Sequence, residues 1–116
     1  MHARVTDLKV PAEKLGAFQS AAASLMPLAE REAGFRAVVI LRLSGGPSSH
    51  VRVIGVWDSL EDLKTSEKSM FFYKALTRMM QFSQGFPAVE EYEVLAARFA
   101  APRAAKAVDS KGDTQA

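Results

Sequence analysis

The chain of 116 residues contains no cysteine, only one tryptophan and only two histidines. The absence of cysteine excludes disulfide bonds, thiolate catalysis and thiolate metal ligands. With so few histidines, we expect no metal site either. No hydrophobic run approaches the ~18 residues that a membrane-spanning helix needs, and the N-terminus lacks the apolar segment of a signal peptide. We therefore expect a cytoplasmic protein that has no membrane partner.

The chain also lacks a large excess of either charge, because the net charge is only +2 and long blocks of like charge are missing. This balance does not predict a nucleic-acid partner. Hydrophobic residues make up 48% of the chain, which suits one globular domain. Residues 100–116 are rich in alanine and charge and cannot bury enough apolar area to offset their ordering entropy. We predict a single domain over residues 1–99 and a disordered C-terminal tail over residues 100–116.

The first part of the chain predicts a strand followed by a helix. The strand covers residues 3–10, and Pro11 opens the helix at a position where proline is tolerated. Apolar residues then recur at helical spacing from Leu15 to Ala29. Pro27 should kink this helix or restart it as a second short turn, because it lacks a backbone donor. Gly34 should end the helix.

A hairpin, a second helix and a last strand complete the predicted order. The β-branched runs 35–43 and 50–57 flank a turn sequence rich in serine and glycine. Ser59 and Asp62 have the spacing of a capping box, which predicts the start of the second helix. The helical pattern is interrupted around Ser66–Ser69 and then runs from Met70 to about Ser83. A strand over residues 89–99 follows.

This order of elements is typical of a ferredoxin-like βαββαβ sandwich, an α+β fold with two helices on one face of an antiparallel sheet. The central strands carry apolar residues in both parities, since Val38 and Ile40 alternate with Val39 and Leu41. On the next strand, Val51 and Val53 share one parity and Ile54 and Val56 share the other. Both faces of the sheet therefore need cover, and a second copy of the sheet is the simplest cover. We expect a homodimer.

Three features resemble a known family: the order of elements, the pair Gly34-Phe35 before the second strand, and Trp57 followed by Ser59 and an acidic residue. On these features, residues 3–99 resemble the antibiotic biosynthesis monooxygenase family of dimeric α+β barrels. The resemblance implies one cavity per subunit, between the helices and the sheet. Some members oxidise small phenolic, quinol-like compounds with O₂ and no cofactor, since a deprotonated electron-rich ring can itself pass an electron to O₂. We expect such a monooxygenase, with a small aromatic ligand and no cofactor.

The sequence also departs from this family. The quinone-forming members are expected to carry an asparagine about four residues before the tryptophan and a tyrosine about six after it, where this chain has Val53 and Leu63. The haem-degrading members have an iron-binding histidine on the second helix, and this chain has none there. Haem degradation is therefore not expected. Two alternatives stay open: a non-catalytic module that binds or senses a small molecule, and an isomerase or decarboxylase on the same scaffold.

Apolar candidates for the site lie on the third strand and the second helix. Trp57, at the end of the strand, either forms an aromatic wall of the cavity or packs in the core. Gly55 either opens space for a ligand or marks a β-bulge or a site of close packing. On the helix, the stripe of Phe72, Leu76 and Met79 either lines a ligand pocket or is ordinary core packing.

Polar candidates complete the predicted site. Arg52 and His50 share a parity of the third strand, and a cation there would lower the pKa of a phenol and favour its reactive anion. Tyr73 could donate a hydrogen bond to a ligand oxygen, or simply lie on the surface. The predicted catalytic residues are Trp57, Arg52 and Tyr73, and the predicted ligand-binding residues are Trp57, Phe72, Leu76, Met79, Arg78 and His50.

Overall fold

The computed structural model describes residues 1–43 and 49–101, so most of the hairpin turn and nearly all of the predicted C-terminal tail lie outside the described residues. Four strands form one antiparallel sheet in the order β2-β3-β1-β4. They are β1 (His2–Lys9), β2 (Phe35–Arg42), β3 (His50–Trp57) and β4 (Ala88–Glu93). This is the strand order of the ferredoxin-like fold, which confirms the predicted fold class.

The helices begin and end close to their sequence signals. A 3₁₀ turn at Ala12–Lys14 leads into α1 (Leu15–Ala29), and β3 is followed by α2 (Leu60–Ser66) and α3 (Met70–Met80). The hydroxyl of Ser59 accepts a hydrogen bond from the Asp62 amide at 3.0 Å, and that of Ser69 accepts one from the Phe72 amide at 3.1 Å. Each serine caps its helix, so the predicted interruption is a true break between two helices.

The end of α1 differs from the prediction. The helix does not restart at Pro27 but continues through it and ends two residues later at Ala29, although the proline cannot donate to the carbonyl of Ala23. Gly34 does not end the helix; it has φ 74° in the turn before β2. A Cβ on Gly34 would collide with the carboxylate of Asp62, and the Gly34 carbonyl accepts a hydrogen bond from the Asp58 amide at 2.7 Å. Glycine is favoured here because its φ is positive and a side chain would displace the carboxylate of Asp62.

The last strand is shorter than predicted. β4 ends at Glu93, which pairs with His2 at the start of β1, and the Val94 amide then donates to the Met1 carbonyl at 2.9 Å. Beyond that point β1 offers no further partner, so Leu95 and Phe99 lie outside the sheet and are exposed. The apolar residues of this segment made it resemble a strand, although pairing decides where a strand ends.

The two faces of the sheet have different surroundings. On the inner face, Leu8, Val10 and Val51 pack with Phe18 of α1 in a fully buried cluster. The outer face carries the alternate residues of the strands, and Val39, Leu41 and Tyr92 there are each about half exposed. Among the described residues, no helix covers that face, and none is long and apolar enough to span a membrane.

Candidate functional site

A cavity of about 130 Å³ lies between the inner face of the sheet and helices α1 and α3, and it is partly open to solvent. Strands β2 and β3 form its floor with Val38, Ile40, Val53 and Gly55. Its roof consists of side chains from α1 (Phe18, Ala22, Leu25, Met26 and Ala29) and α3 (Phe71, Phe72, Ala75, Leu76 and Met79). The lining is almost wholly apolar, which suits an organic ligand with little polar surface.

The cavity exists because α3 stands away from the sheet. None of its residues is fully buried, although its apolar side faces the strands. Met79, at the end of α3, packs against the buried cluster around Phe18, and Phe82 beyond it meets Phe18 edge to face with ring centroids 6.0 Å apart. The helix is therefore anchored at this end, while Phe71 and Phe72 at its start leave space beneath them.

Trp57 forms one wall of the cavity. Its side chain is only 5% exposed and meets Phe35 edge to face, with ring centroids 5.7 Å apart. Its six-membered ring lies over Gly55, which pairs regularly with Arg4 and Val38. Gly55 is therefore a site of close packing against the indole, as one of its predicted roles had it, whereas the interpretation of this glycine as a bulge is wrong. The irregularity of the sheet lies instead between Phe35 and Ala37.

Arg4 supplies the polar end of the cavity. Its Nη2 donates to the Leu63 carbonyl at 3.3 Å and to the Ser66 hydroxyl at 3.1 Å, and lies 3.3 Å from a carboxylate oxygen of Glu67. Its Cζ lies 4.8 Å from the ring centroids of both Trp57 and Phe72, within the range of cation–π attraction. Burial lowers the pKa of Arg4, while Glu67 acts in the opposite direction. The guanidinium nevertheless stays charged.

Three buried polar nitrogens lie together at this end of the sheet without a hydrogen-bond partner among the described residues. They are Nδ1 of His2, Nε of Arg4 and Nε1 of Trp57. His2 is paired with Trp57 across β1 and β3, and Arg4 follows two residues later on the same face. Arg4 Nε and Trp57 Nε1 can only donate, so this corner of the site has unused donors and can bind an acceptor.

The structure brings four of the predicted site residues together. Trp57, Phe72, Leu76 and Met79 all line the cavity. The helical spacing of the last three places them on one side of α3, and Trp57 faces them from β3. Their role in binding a ligand stays a prediction, because core packing alone would also place apolar residues here.

Arg52 and His50 lie elsewhere, on the outer face of the sheet. Arg52 Nε donates to Oδ1 of Asp7 at 2.7 Å, and His50 Nε2 lies 3.6 Å from the same oxygen. Arg52 holds the pKa of Asp7 below its usual range, and Asp7 in turn raises the pKa of Arg52. The expectation that Arg52 and His50 act on a ligand in the cavity is therefore not supported by their position, since the sheet separates them from it.

Tyr73 and Arg78 also lie away from the cavity. Both line a shallow groove on the outside of α3, together with Lys74, Thr77 and Gln81. Tyr73 is 61% exposed, so it is a surface residue in the described structure. Phe71 and Ala75, which share the side of α3 next to Phe72, line the cavity, whereas Arg78 one turn later lines only the outer groove.

Arg4 and Phe35 both line the cavity, and neither is among the site residues predicted from the sequence. Arg4 shares a parity of β1 with Thr6, Leu8 and Val10, which are all buried. A cation on an otherwise buried face of a strand was the available signal, since such a residue is rarely buried without a partner. Among the described residues, no cluster of three or more histidine, aspartate or glutamate side chains is placed to hold a metal ion.

Comparisons with known proteins agree on the fold. The sequence model of the family described as antibiotic biosynthesis monooxygenase matches residues 1–78. A solved Bordetella bronchiseptica structure, named as a candidate antibiotic biosynthesis monooxygenase, is 16% identical with a TM-score of 0.72 and covers 82% of this chain and 97% of its own. A mutant of SnoaB, a cofactor-independent oxygenase from Streptomyces nogalater, is 17% identical with a TM-score of 0.71, covering 83% of this chain and 94% of its own. No curated protein sequence matches significantly.

Proposed function

Because the chain belongs to the antibiotic biosynthesis monooxygenase family, we propose that it is a cofactor-independent monooxygenase acting on a small phenolic or quinol-type compound in the cavity. The observation that carries the proposal is the apolar cavity with aromatic walls and unpaired donors at one end. Trp57 and Phe72 supply the aromatic rings, and Arg4 and Trp57 supply the donors. Such a site can stack a planar ring and bind its oxygen. SnoaB, which is named as a cofactor-independent oxygenase, has the same fold.

The proposed chemistry needs little from the protein beyond binding and protection. A dihydroxyarene, ionised at one oxygen, transfers electrons to O₂, and one oxygen atom forms a new C–O bond on the ring. The other oxygen atom leaves as water with two hydrogens from the substrate, so the product is a hydroxyquinone. An apolar cavity favours this path because it excludes the water that would otherwise stabilise and protonate the reacting anion.

The size of the cavity limits the ligand. An engineered cavity of about 150 Å³ in another protein binds benzene, and the cavity here measures about 130 Å³. The cavity is therefore about the size needed for a single aromatic ring, and a larger fused ring would have to extend through its open side. We accordingly propose monocyclic phenols and quinols as the first compounds to test.

Oxygen consumption tests the proposal directly. Protein freed of metal and flavin by chelation and desalting is incubated with hydroquinone or catechol under ¹⁸O₂. We expect O₂ uptake faster than in buffer and one labelled oxygen atom in the ring product. Trp57→Phe should slow the reaction, whereas Tyr92→Phe on the outer face should not. Oxidation that releases one H₂O₂ for each unlabelled quinone would contradict a monooxygenase.

The alternative is a module that binds or senses an aromatic compound without converting it. One observation favours it: among the described residues, no carboxylate or histidine lines the cavity, so an obvious proton acceptor is missing there. Saturable binding of phenols without O₂ consumption across the panel would make this alternative the better account.

We also propose that the protein is a homodimer joined through the outer faces of two sheets. Val39, Leu41 and Tyr92 form a half-exposed apolar surface on that face. Such a surface is costly to leave in water, and a two-fold axis across it would cover both copies at once. A stable interface of this kind buries about 1,200–2,000 Å² in total.

A further inference from the structure

Arg4 is the only charged residue among the described residues that line the cavity. We propose that Arg4 selects the ligand: it binds the ionised oxygen of a phenol through its unpaired Nε, and so the site prefers an aryl oxyanion over a neutral ring. This inference rests on the proposed function, because it assumes that the cavity holds an aromatic compound. Beyond the proposed function, the inference specifies that the ligand is an anion and that Arg4 recognises its charge.

The contacts of Arg4 involve Nη2 and the face of the guanidinium rather than Nε. Nη2 is occupied by Leu63, Ser66 and Glu67, all of which belong to α2 or its end. The rings of Trp57 and Phe72 lie against the guanidinium, each with its centroid 4.8 Å from Cζ. Nε is buried and has no partner among the described residues. A buried donor without a partner costs free energy, which a ligand oxygen bound there would recover.

A second unused donor lies nearby. Nε1 of Trp57 is likewise buried and unpaired among the described residues, and Trp57 is in contact with Arg4. A phenolate oxygen has several lone pairs and accepts more than one hydrogen bond, whereas the oxygen of a methyl ether is a weaker acceptor without charge. Each of these unpaired donors therefore favours the ionised phenol over its ether.

Glu67 and Glu91 offset part of the charge of Arg4, but neither carboxylate lines the cavity. Glu67 and Glu91 lie on its outside, where Lys64 Nζ is 4.0 Å from the first and 2.9 Å from the second. Both carboxylates are about one-third exposed and therefore screened by water, whereas the side chain of Arg4 is only 11% exposed. A ligand in the cavity meets the positive charge across a medium of low polarity, where the attraction is stronger.

A structural role is the competing explanation, because the contacts with Glu67 and Ser66 also tie β1 to α2. The two roles differ in one measurable property. If Arg4 only holds the fold together, its removal changes stability but leaves the preference between a phenolate and its neutral methyl ether unchanged. If Arg4 binds the oxyanion, that preference disappears with the guanidinium.

The test uses 4-nitrophenol and its methyl ether 4-nitroanisole as probes, titrated into the full chain by calorimetry. The affinity for 4-nitrophenol is measured at several pH values on both sides of the phenol's pKa. In the wild type we expect it to rise as the phenol ionises, until it exceeds that for 4-nitroanisole about tenfold. Arg4→Met keeps the length of the apolar stem and should abolish this preference while changing the affinity for 4-nitroanisole less than threefold. Arg52→Met, the same substitution on the outer face, should leave both affinities unchanged.

Each outcome decides the matter. If the wild type binds both probes equally, or if Arg4→Met retains the preference for the phenolate, the role of Arg4 is overturned while the aromatic site stands. If the wild type binds neither probe, the proposed function falls together with this inference. If Arg4→Met does not fold, the pH dependence in the wild type still decides, because a weaker affinity on ionisation of the phenol would overturn the proposal.

Discussion

A side chain at position 55 would collide with Trp57, because a Cβ built on Gly55 lies 2.8 Å from Cζ3 and 2.9 Å from Cη2 of the indole. Aromatic rings are rigid, so contacts this short require the whole ring to move. The backbone of Gly55 cannot retreat easily, since it is paired with Arg4 on one side and Val38 on the other. Gly55 therefore fixes where the aromatic wall of the cavity stands.

Gly55→Ala is accordingly expected to displace the indole and to reshape the cavity. We expect the free energy of unfolding, measured by urea denaturation, to fall by about 1–3 kcal/mol, as for other overpacked sites. The affinity for 4-nitrophenol should fall as well. Gly16→Ala is the matched control: it lies on α1 with no atom within 4 Å, and alanine in a helix should add about 0.5–1 kcal/mol. Unchanged stability and binding for Gly55→Ala would show that the indole has room to move.

Trp57→Phe tests the wall itself. Phenylalanine keeps much of the apolar volume but loses part of the stacking surface and the Nε1 donor. An aromatic pair contributes about 0.5–1.5 kcal/mol beyond area burial, so the dissociation constant of 4-nitrophenol should rise by up to about tenfold. Calorimetry measures it, because the variant lacks the only tryptophan of the chain.

A different result is expected if Trp57 serves only the core. The substitution would then leave the affinity for 4-nitrophenol unchanged and lower the melting temperature through the space it creates. In the wild type, saturable quenching of Trp57 fluorescence by the probe distinguishes the two cases independently. Leu95→Ala, at a residue that is 89% exposed, is the control that should change neither stability nor binding.

Most of the fold was predictable because its signals are local. The run of β3 from His50 to Trp57 and the break between α2 and α3 are both encoded within a few residues, by β-branched side chains and by capping serines. The end of β4 was not predictable in this way, since it depends on where β1 begins. A strand stops when its partner stops, and that partner lies far away in the sequence.

The candidate site was predictable only in part, for a related reason. The alternation of side chains shows that Arg52 and His50 share a face, but not which face the helices cover when both parities are apolar. The helices cover the other face, so these two residues lie beside Asp7 and away from the cavity. Arg4 enters the site through its register with Gly55, which the sequence alone does not specify.

The pair of Arg52 and Asp7 gives a prediction about acid stability. Arg52 holds the pKa of Asp7 below its usual value, mainly by a hydrogen bond and with a smaller contribution from His50. A carboxyl group with a lowered pKa stabilises the fold above the pKa it has when unfolded, and this contribution disappears as the pH falls through the folded pKa. Arg52→Met should therefore lower stability slightly at neutral pH and have no effect through Asp7 in strong acid.

Titration by nuclear magnetic resonance measures the cause directly. The pKa of the Asp7 carboxyl should rise towards its ordinary value in Arg52→Met. His50→Ala should raise it less, since His50 lies 3.6 Å away and makes the smaller contribution. If the pKa of Asp7 is the same in the wild type and in Arg52→Met, the hydrogen bond between the two side chains does not persist in solution.

The last prediction concerns the outer face of the sheet. Val39 is 47% exposed in a single chain, so an aspartate there has room and should not disturb the fold of the monomer. In the proposed dimer the same carboxylate would be removed from water without a partner, which is strongly unfavourable. Val39→Asp should therefore sediment as a monomer at low micromolar concentration while the wild type sediments as a dimer. Met70→Asp, at a residue 70% exposed in the first turn of α3, introduces the same charge where a helix tolerates it and should remain dimeric. A wild-type monomer, or a dimer that survives Val39→Asp, would show that the apolar face is not the interface.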